Sequence, residues 1–179
     1  MNARRFAVTI LAAVLFAGCS TYTANRYSIS ADNVTTLRGL RPALVNVGPF
    51  TAAEPGRTEI TCRAVGPIKT PDGETFEAFV RKAFIDELQM AEIYSATAPV
   101  TLTANVEHLD FSSNRGKWTI ALGLASSNGR RLTVSDEYDF GWHFIGEVAC
   151  RQVGQALMPA VQNIVGKAVR HPDFPALIR

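Results

Sequence analysis

Few side chains in this sequence are equipped for chemistry. Three cysteines (Cys19, Cys62, Cys150) and three histidines (His108, His143, His171) stand beside 16 carboxylates in 179 residues. Cys19 follows Ala17-Gly18 at the end of an apolar run, which places its thiol for signal processing and for a thioether bond to lipid. Cys62 and Cys150 remain as an even pair, suited to one disulfide in an oxidising compartment, the alternative being two buried free thiols. His108 and Asp136 are the histidine–carboxylate combination that merits a test as general base or metal ligand.

That test depends on strand register. If Val106 pairs with Leu122, His108 falls opposite Ile120, and Asp136 flanks the same isoleucine from the other side. Trp118 and Tyr138 occupy the next row, so the four residues make a candidate binding rim. Leu109 and Phe111, however, have the opposite parity from Leu102, Ala104 and Val106, and a bulge between them would turn His108 outward. No nucleophile stands at a telling position. His143 and His171 flank the last helix without ligand spacing, and no phosphate loop, nucleophile elbow or zinc pattern is present. The expectation is a protein that is not an enzyme, with no metal site and no cofactor beyond a covalent lipid.

The first 18 residues have the parts of a secretory signal: Arg4 and Arg5, an apolar run over residues 6–16, then Ala17-Gly18. Eleven apolar residues are too few for a spanning helix, which needs about 20. Leu15-Phe16-Ala17-Gly18-Cys19 matches a lipoprotein cleavage box, with Phe16 where leucine is usual and Leu15 one step earlier. The alternative is a plain signal peptide with an incidental cysteine. Two of the 18 basic residues lie in this segment and no acid does, so 16 basic residues face 16 acidic ones beyond it. That balance gives no basic surface, and nucleic acid is not an expected partner. Residues 19–33 are polar and without period, and read as a lipidated N-terminus and flexible tether. Residues 34–179 read as one periplasmic domain.

The elements of that domain follow from periodicity and punctuation. Residues 43–47 read as a strand stopped by Gly48-Pro49, and residues 59–65 as a second strand ended by Gly66-Pro67. Thr70-Pro71-Asp72-Gly73 reads as the start of a helix over residues 74–94, with Phe76, Val80, Ala83, Phe84, Leu88 and Ala91 as its apolar stripe. Glu77 and Arg81 sit four apart in the favourable order for an ion pair. A meander follows over residues 100–111, 117–126 and 131–142. A three-residue loop at Ser127-Asn128-Gly129 matches Leu124 with Leu132, Leu122 with Val134 and Trp118 with Tyr138, whereas a two-residue loop sets apolar side chains beside polar ones. The last helix has the strongest period. Pro159 is expected to kink or split it near Leu157, and Gly146, Cys150 and Gly154 form a small-residue edge that a neighbouring backbone can approach. Phe174, Leu177 and Ile178 make an apolar tail. The predicted fold class is α+β, in the order ββαβββα: a mostly antiparallel sheet of about five strands with two amphipathic helices packed on one face.

In this layout the chain resembles small Gram-negative outer-membrane lipoproteins, among them the auxiliary lipoproteins of ABC-type lipid transporters, the lipopolysaccharide-assembly lipoprotein and the curli secretion lipoprotein. The likeness lies in Leu15-Phe16-Ala17-Gly18-Cys19, in the helical segment over residues 83–94 that leads into strands, and in the closing helix. It implies lipid on Cys19 and, because Ser20 and not aspartate follows, sorting to the inner leaflet of the outer membrane. The expected role is a non-enzymatic accessory or scaffold subunit of an envelope assembly or transport system, with an envelope protein as partner. The alternative is a binding module for a small apolar or lipid ligand held between helices and sheet.

Overall fold

The computed structural model describes residues 20–179. Cys19 and the signal segment before it lie outside the described residues. In chain order the elements are β1 (Tyr22–Thr23), α1 (Ala31–Arg38), β2 (Asn46–Ala52), β3 (Glu59–Cys62), β4 (Gly66–Lys69), α2 (Phe76–Met90), β5 (Thr101–Ser112), β6 (Lys117–Ser126), β7 (Arg131–Asp139), α3 (Gly146–Val169) and α4 (Phe174–Leu177). The fold is α+β, but the strands form two sheets instead of one. Four strands run in the order β2-β5-β6-β7, and three short ones in the order β1-β4-β3. Among the described residues four helices, not two, accompany them.

Two local features account for that division. The chain does not stop at Gly66-Pro67. It reverses earlier, through the left-handed conformation at Arg63 (φ 47) and Ala64 (φ 53), and returns as β4 antiparallel to β3. Nor does the first strand of the domain stop at Gly48-Pro49. β2 continues to Ala52 after a register shift between Val47 and Phe50, pairing parallel with β5. Pro49 is tolerated because β2 is an edge strand and the shift removes the need for its missing N–H. Parallel pairing requires a long crossover, and α2 supplies it, leaving the β3–β4 hairpin to hang from the crossover as a separate small sheet.

α2 starts later than its composition suggests. Residues 71–73 form a single 3₁₀ turn with Asp72 at φ 62, and Thr75 caps the helix by accepting a hydrogen bond from the Ala78 amide at 3.2 Å. The predicted stripe is buried as expected. The Glu77–Arg81 pair is not formed. Arg81 instead donates to the carbonyls of Val47 and Gly48 at 2.9 and 2.7 Å, satisfying acceptors at the β2 irregularity, while Glu77 accepts from the Gly56 amide at 3.0 Å.

The meander has the predicted register between β6 and β7, with Leu124 opposite Leu132, Leu122 opposite Val134, Trp118 opposite Tyr138, and Gly129 at φ 88. α3 runs unbroken through Pro159. The missing donor costs one helical bond, and ten buried apolar side chains between Ala149 and Val169 hold both halves in place against β6 and β7. The small-residue edge of α3 works as the spacing implies. Gly146 admits Val65, whose Cγ2 lies 2.8 Å from where a Cβ would stand, and Gly154 abuts the Tyr22 carbonyl. Cys150 is disulfide-bonded to Cys62, the Cα atoms 5.8 Å apart. The apolar tail folds back: Phe174, Leu177 and Ile178 are buried, and Asn128 Nδ2 donates to the carbonyls of Ala176 and Arg179 at 2.9 and 2.7 Å.

The tether reading for residues 19–33 is corrected from Ser20 onward. β1 lies parallel on β4, the Ala24 amide donates to the Lys69 carbonyl at 2.8 Å, and Ala24 and Asn33 are buried. α1 begins at Ala31 with Ser30 as its cap. A two-residue strand has no period to read; the free edge of β4 creates it.

Two measurements check this packing. Replacing Cys62 and Cys150 together by alanine frees a loop spanning 88 positions and is expected to lower the unfolding free energy in urea by about 2–5 kcal/mol. In Gly66→Ala the new Cβ would stand 1.7 Å from the Ser20 carbonyl oxygen. That variant should lose hydrogen-exchange protection at the Ala24 amide while α2 keeps its own.

Candidate functional site

Three of the four candidate rim residues keep the expected register, Trp118 opposite Tyr138 and Asp136 opposite Ile120, and His108 leaves them. A register shift between Val106 and His108 sets His108 opposite Ala121 and Leu109 opposite Ile120. His108 is therefore exposed on the outer face of the sheet, while Leu109, Ile120 and Asp136 share the inner one. Asp136 Oδ1 accepts from Lys167 Nζ at 3.2 Å at the margin of α3. The sheet thus separates the histidine from the carboxylate, and no acid–base pair exists between them. Trp118 is not a rim residue. It is fully buried, its Nε1 donates to the Val153 carbonyl at 3.0 Å, and its ring packs on Phe111 with centroids 5.0 Å apart. An indole with a satisfied N–H is a core strut between sheet and helix. Tyr138 lies beside it in register, partly buried.

The space between helices and sheet is filled by Trp118, Phe79, Phe84, Leu88, Leu122 and their neighbours, each essentially without solvent exposure. A cavity of about 70 Å³ opens beside His108, between Phe76, Glu77, Glu107 and Asp110. It has room for water and falls well short of the roughly 300–1,000 Å³ typical of ligand pockets. Larger open depressions of about 480 and 470 Å³ lie elsewhere, one on the outer face of the sheet beside Thr51, Asn105, Glu107 and Thr133, the other at the margin of α3 beside Asp136, Lys167, Arg170 and His171. Among the described residues, no three His, Cys, Asp or Glu side chains gather as a metal-holding group.

The structure does assemble two polar clusters that sequence reading missed. Glu87 is fully buried at the seam of α1, α2 and α3. Its Oε1 accepts from the Tyr27 hydroxyl at 2.6 Å, the Ser30 amide at 2.8 Å and Asn33 Nδ2 at 3.4 Å. Asn33 in turn accepts from Arg170 at 2.8 Å and donates to the Gln162 carbonyl at 3.2 Å. Glu87 stands on the apolar stripe of α2, three positions after Phe84, and an acid in that place was the available signal. Burial, and then the bond to Glu87, raise the Tyr27 hydroxyl pKa above the ordinary tyrosine value.

The second cluster centres on Arg63. Its Nε and Nη2 donate to the hydroxyl and carbonyl of Ser113 at 2.9 and 2.8 Å, and its Nη1 donates to the carbonyls of His143 and Phe144 at 3.0 and 3.2 Å. One guanidinium thereby joins the β3–β4 turn, the β5–β6 turn and the loop leading into α3, next to the Cys62–Cys150 bond. An arginine at a left-handed turn position carries no periodic signal. Of the predicted site residues, Cys62 and Cys150 are joined here, Cys19 lies outside the described residues, and His108 stands apart.

No family model and no curated protein matches the chain. Among solved structures it is similar to the crystal structure of protein XCC0632 from Xanthomonas campestris, described under the family name DUF330. The identity is 11%, the match covers 84% of this chain and 95% of that one, and the TM-score is 0.48. No activity, ligand or partner is carried over from so distant a likeness.

The Tyr27–Glu87 bond has a pH consequence. A phenol whose pKa is raised by folding stabilises the native state in its neutral form, so the contribution is intact below about pH 10 and is lost as pH rises beyond it. Tyr27→Phe is expected to flatten the fall of unfolding free energy above pH 10 relative to the unsubstituted protein, measured by urea titration across pH 8–11.

Proposed function

We propose that this chain is a lipoprotein of the cell envelope, held through an acylated Cys19 at the inner leaflet of the outer membrane with its domain in the periplasm. Its role there is that of a non-enzymatic accessory or scaffold subunit of an envelope assembly or transport system. The observation that carries the reading is Leu15-Phe16-Ala17-Gly18-Cys19 behind a basic start and an apolar run. Two features of the folded domain support it. The Cys62–Cys150 bond suits an oxidising compartment. The packed interior and the separation of His108 from Asp136 by the sheet favour a body that other proteins use over one that turns over substrate. Partner contact falls to exposed surface, with a membrane on one side and an envelope protein as the second binding party.

The test is chemical and cellular. Mass spectrometry of the N-terminal peptide from membrane-purified protein should show residues 1–18 removed and an acylated Cys19. Cys19→Ser should shift the protein from the membrane pellet to the soluble periplasmic fraction. Recovery of an unmodified Cys19 from the membrane fraction would falsify the anchor. Crosslinking in intact membranes that recovers no envelope protein would count against the accessory role.

A further inference from the structure

Six large apolar side chains are exposed among the described residues, and three of them, Trp142, Phe144 and Ile145, fall within four consecutive positions between β7 and α3. Their exposures are 64%, 79% and 45%. Scattered apolar side chains on a surface need no explanation, but a contiguous cluster marks something that covers it. The segment is held rigidly from beneath. Arg63 takes the carbonyls of His143 and Phe144, the Ile145 amide donates to His143 Nδ1 at 3.1 Å, and the His143 ring stacks on Phe144 with centroids 4.8 Å apart. The carbonyls of His143 and Phe144 and the amide of Ile145 are bonded within the protein while the apolar side chains project. That is the arrangement of a preformed wedge, for which little ordering remains to be done on contact.

What the wedge meets follows from where the chain enters the fold. Ser20 stands two residues before β1, and its carbonyl oxygen lies where a Cβ on Gly66 would clash with it. The residue before Gly66, Val65, packs into the notch at Gly146. Gly146 follows Ile145 directly. Ser20, the turn at residues 63–65 and the aromatic loop are thus one continuous patch. Cys19 is the next residue upstream of Ser20, and a single residue spans at most about 3.6 Å. Acyl chains attached there would bring this patch toward the lipid. A tryptophan with a polar N–H beside phenylalanine and isoleucine is also the composition that favours the headgroup boundary of a bilayer.

We propose that Trp142, Phe144 and Ile145 insert into the interfacial zone of the phospholipid surface that holds Cys19. The domain is then docked on the membrane at two points and fixed in orientation, where an acyl tether alone would leave it free to tumble. This inference rests on the reading of Cys19 as lipidated, and its test is arranged so that the two fail separately.

The protein has two tryptophans, and Trp118 is fully buried, so the emission difference between the unsubstituted chain and Trp142→Phe reports Trp142 alone. The full chain, purified from membranes, is reconstituted into phosphatidylethanolamine–phosphatidylglycerol vesicles with plain or brominated acyl chains. The expected result is a blue-shifted Trp142 component that brominated chains quench. In a Cys19→Ser background, flotation with the same vesicles should be weakened by about ten- to a hundredfold in W142S/F144S. Unchanged thermal unfolding shows that this variant still folds. An acylated, vesicle-bound chain whose Trp142 emission stays water-like and unquenched overturns the proposal. So does a photoreactive residue at position 144 that labels a single protein and no lipid in intact cells. If Cys19 proves unmodified, the anchor fails on its own, and flotation that is the same with and without the aromatic side chains sinks the wedge as well.

Discussion

The contact between the β3–β4 hairpin and the first turns of α3 is the interaction on which the rest of the molecule depends. Three strands of two to four residues cannot stand alone in water, and the small sheet exists because it is fastened to a long, buried helix. Cys62–Cys150 supplies the covalent part, and Arg63 supplies four hydrogen bonds to two other turns. The glycines at 146 and 154 let Val65 and the Tyr22 backbone come close enough for the bond to form without displacing α3. Once the hairpin is fixed, the free edge of β4 receives β1, and the start of the described chain acquires a defined place.

A second seam secures the same N-terminal segment from the other side. Glu87 collects donors from Tyr27, Ser30 and Asn33, and Arg170 closes the network through Asn33. All three donors fall on Oε1, while Oε2 is buried without a partner, and the cluster ties α1 to α2 and α3. Together the two seams convert residues 20–40 from a leash into part of the body.

Much of the architecture was legible because it is local. The stripe of α2, the wide stripe of α3 and the alternation along β6 each repeat over enough residues to identify themselves. The β6–β7 register followed from matching Leu124 with Leu132 and Leu122 with Val134, since a slip by one would have placed leucines beside polar residues. The candidate rim failed for a related reason. Parity along β5 changes between Val106 and Leu109, and the bulge behind that change placed His108 across the sheet from Asp136. Trp118 shares its face with Ile120, Leu122 and Leu124 in the sequence, but the Val153 carbonyl that takes its N–H is visible only in the fold.

The sequence alone determined the α+β class and the strand and helix identities with long periods, and it singled out Cys62 and Cys150 as the candidate disulfide. These depend on side-chain type at fixed spacing, which one strand or helix displays unaided. Tertiary structure alone decided that the strands divide into two sheets, that β2 runs parallel to β5 through Gly48-Pro49, and that Arg81 serves β2 carbonyls in preference to Glu77. It also decided that Arg63 takes the carbonyls of His143 and Phe144 and that Gly66 lies against Ser20. Each of these rests on partners separated by tens of residues, where an unsatisfied carbonyl, an open strand edge or a missing Cβ selects its neighbour only after the chain has closed on itself.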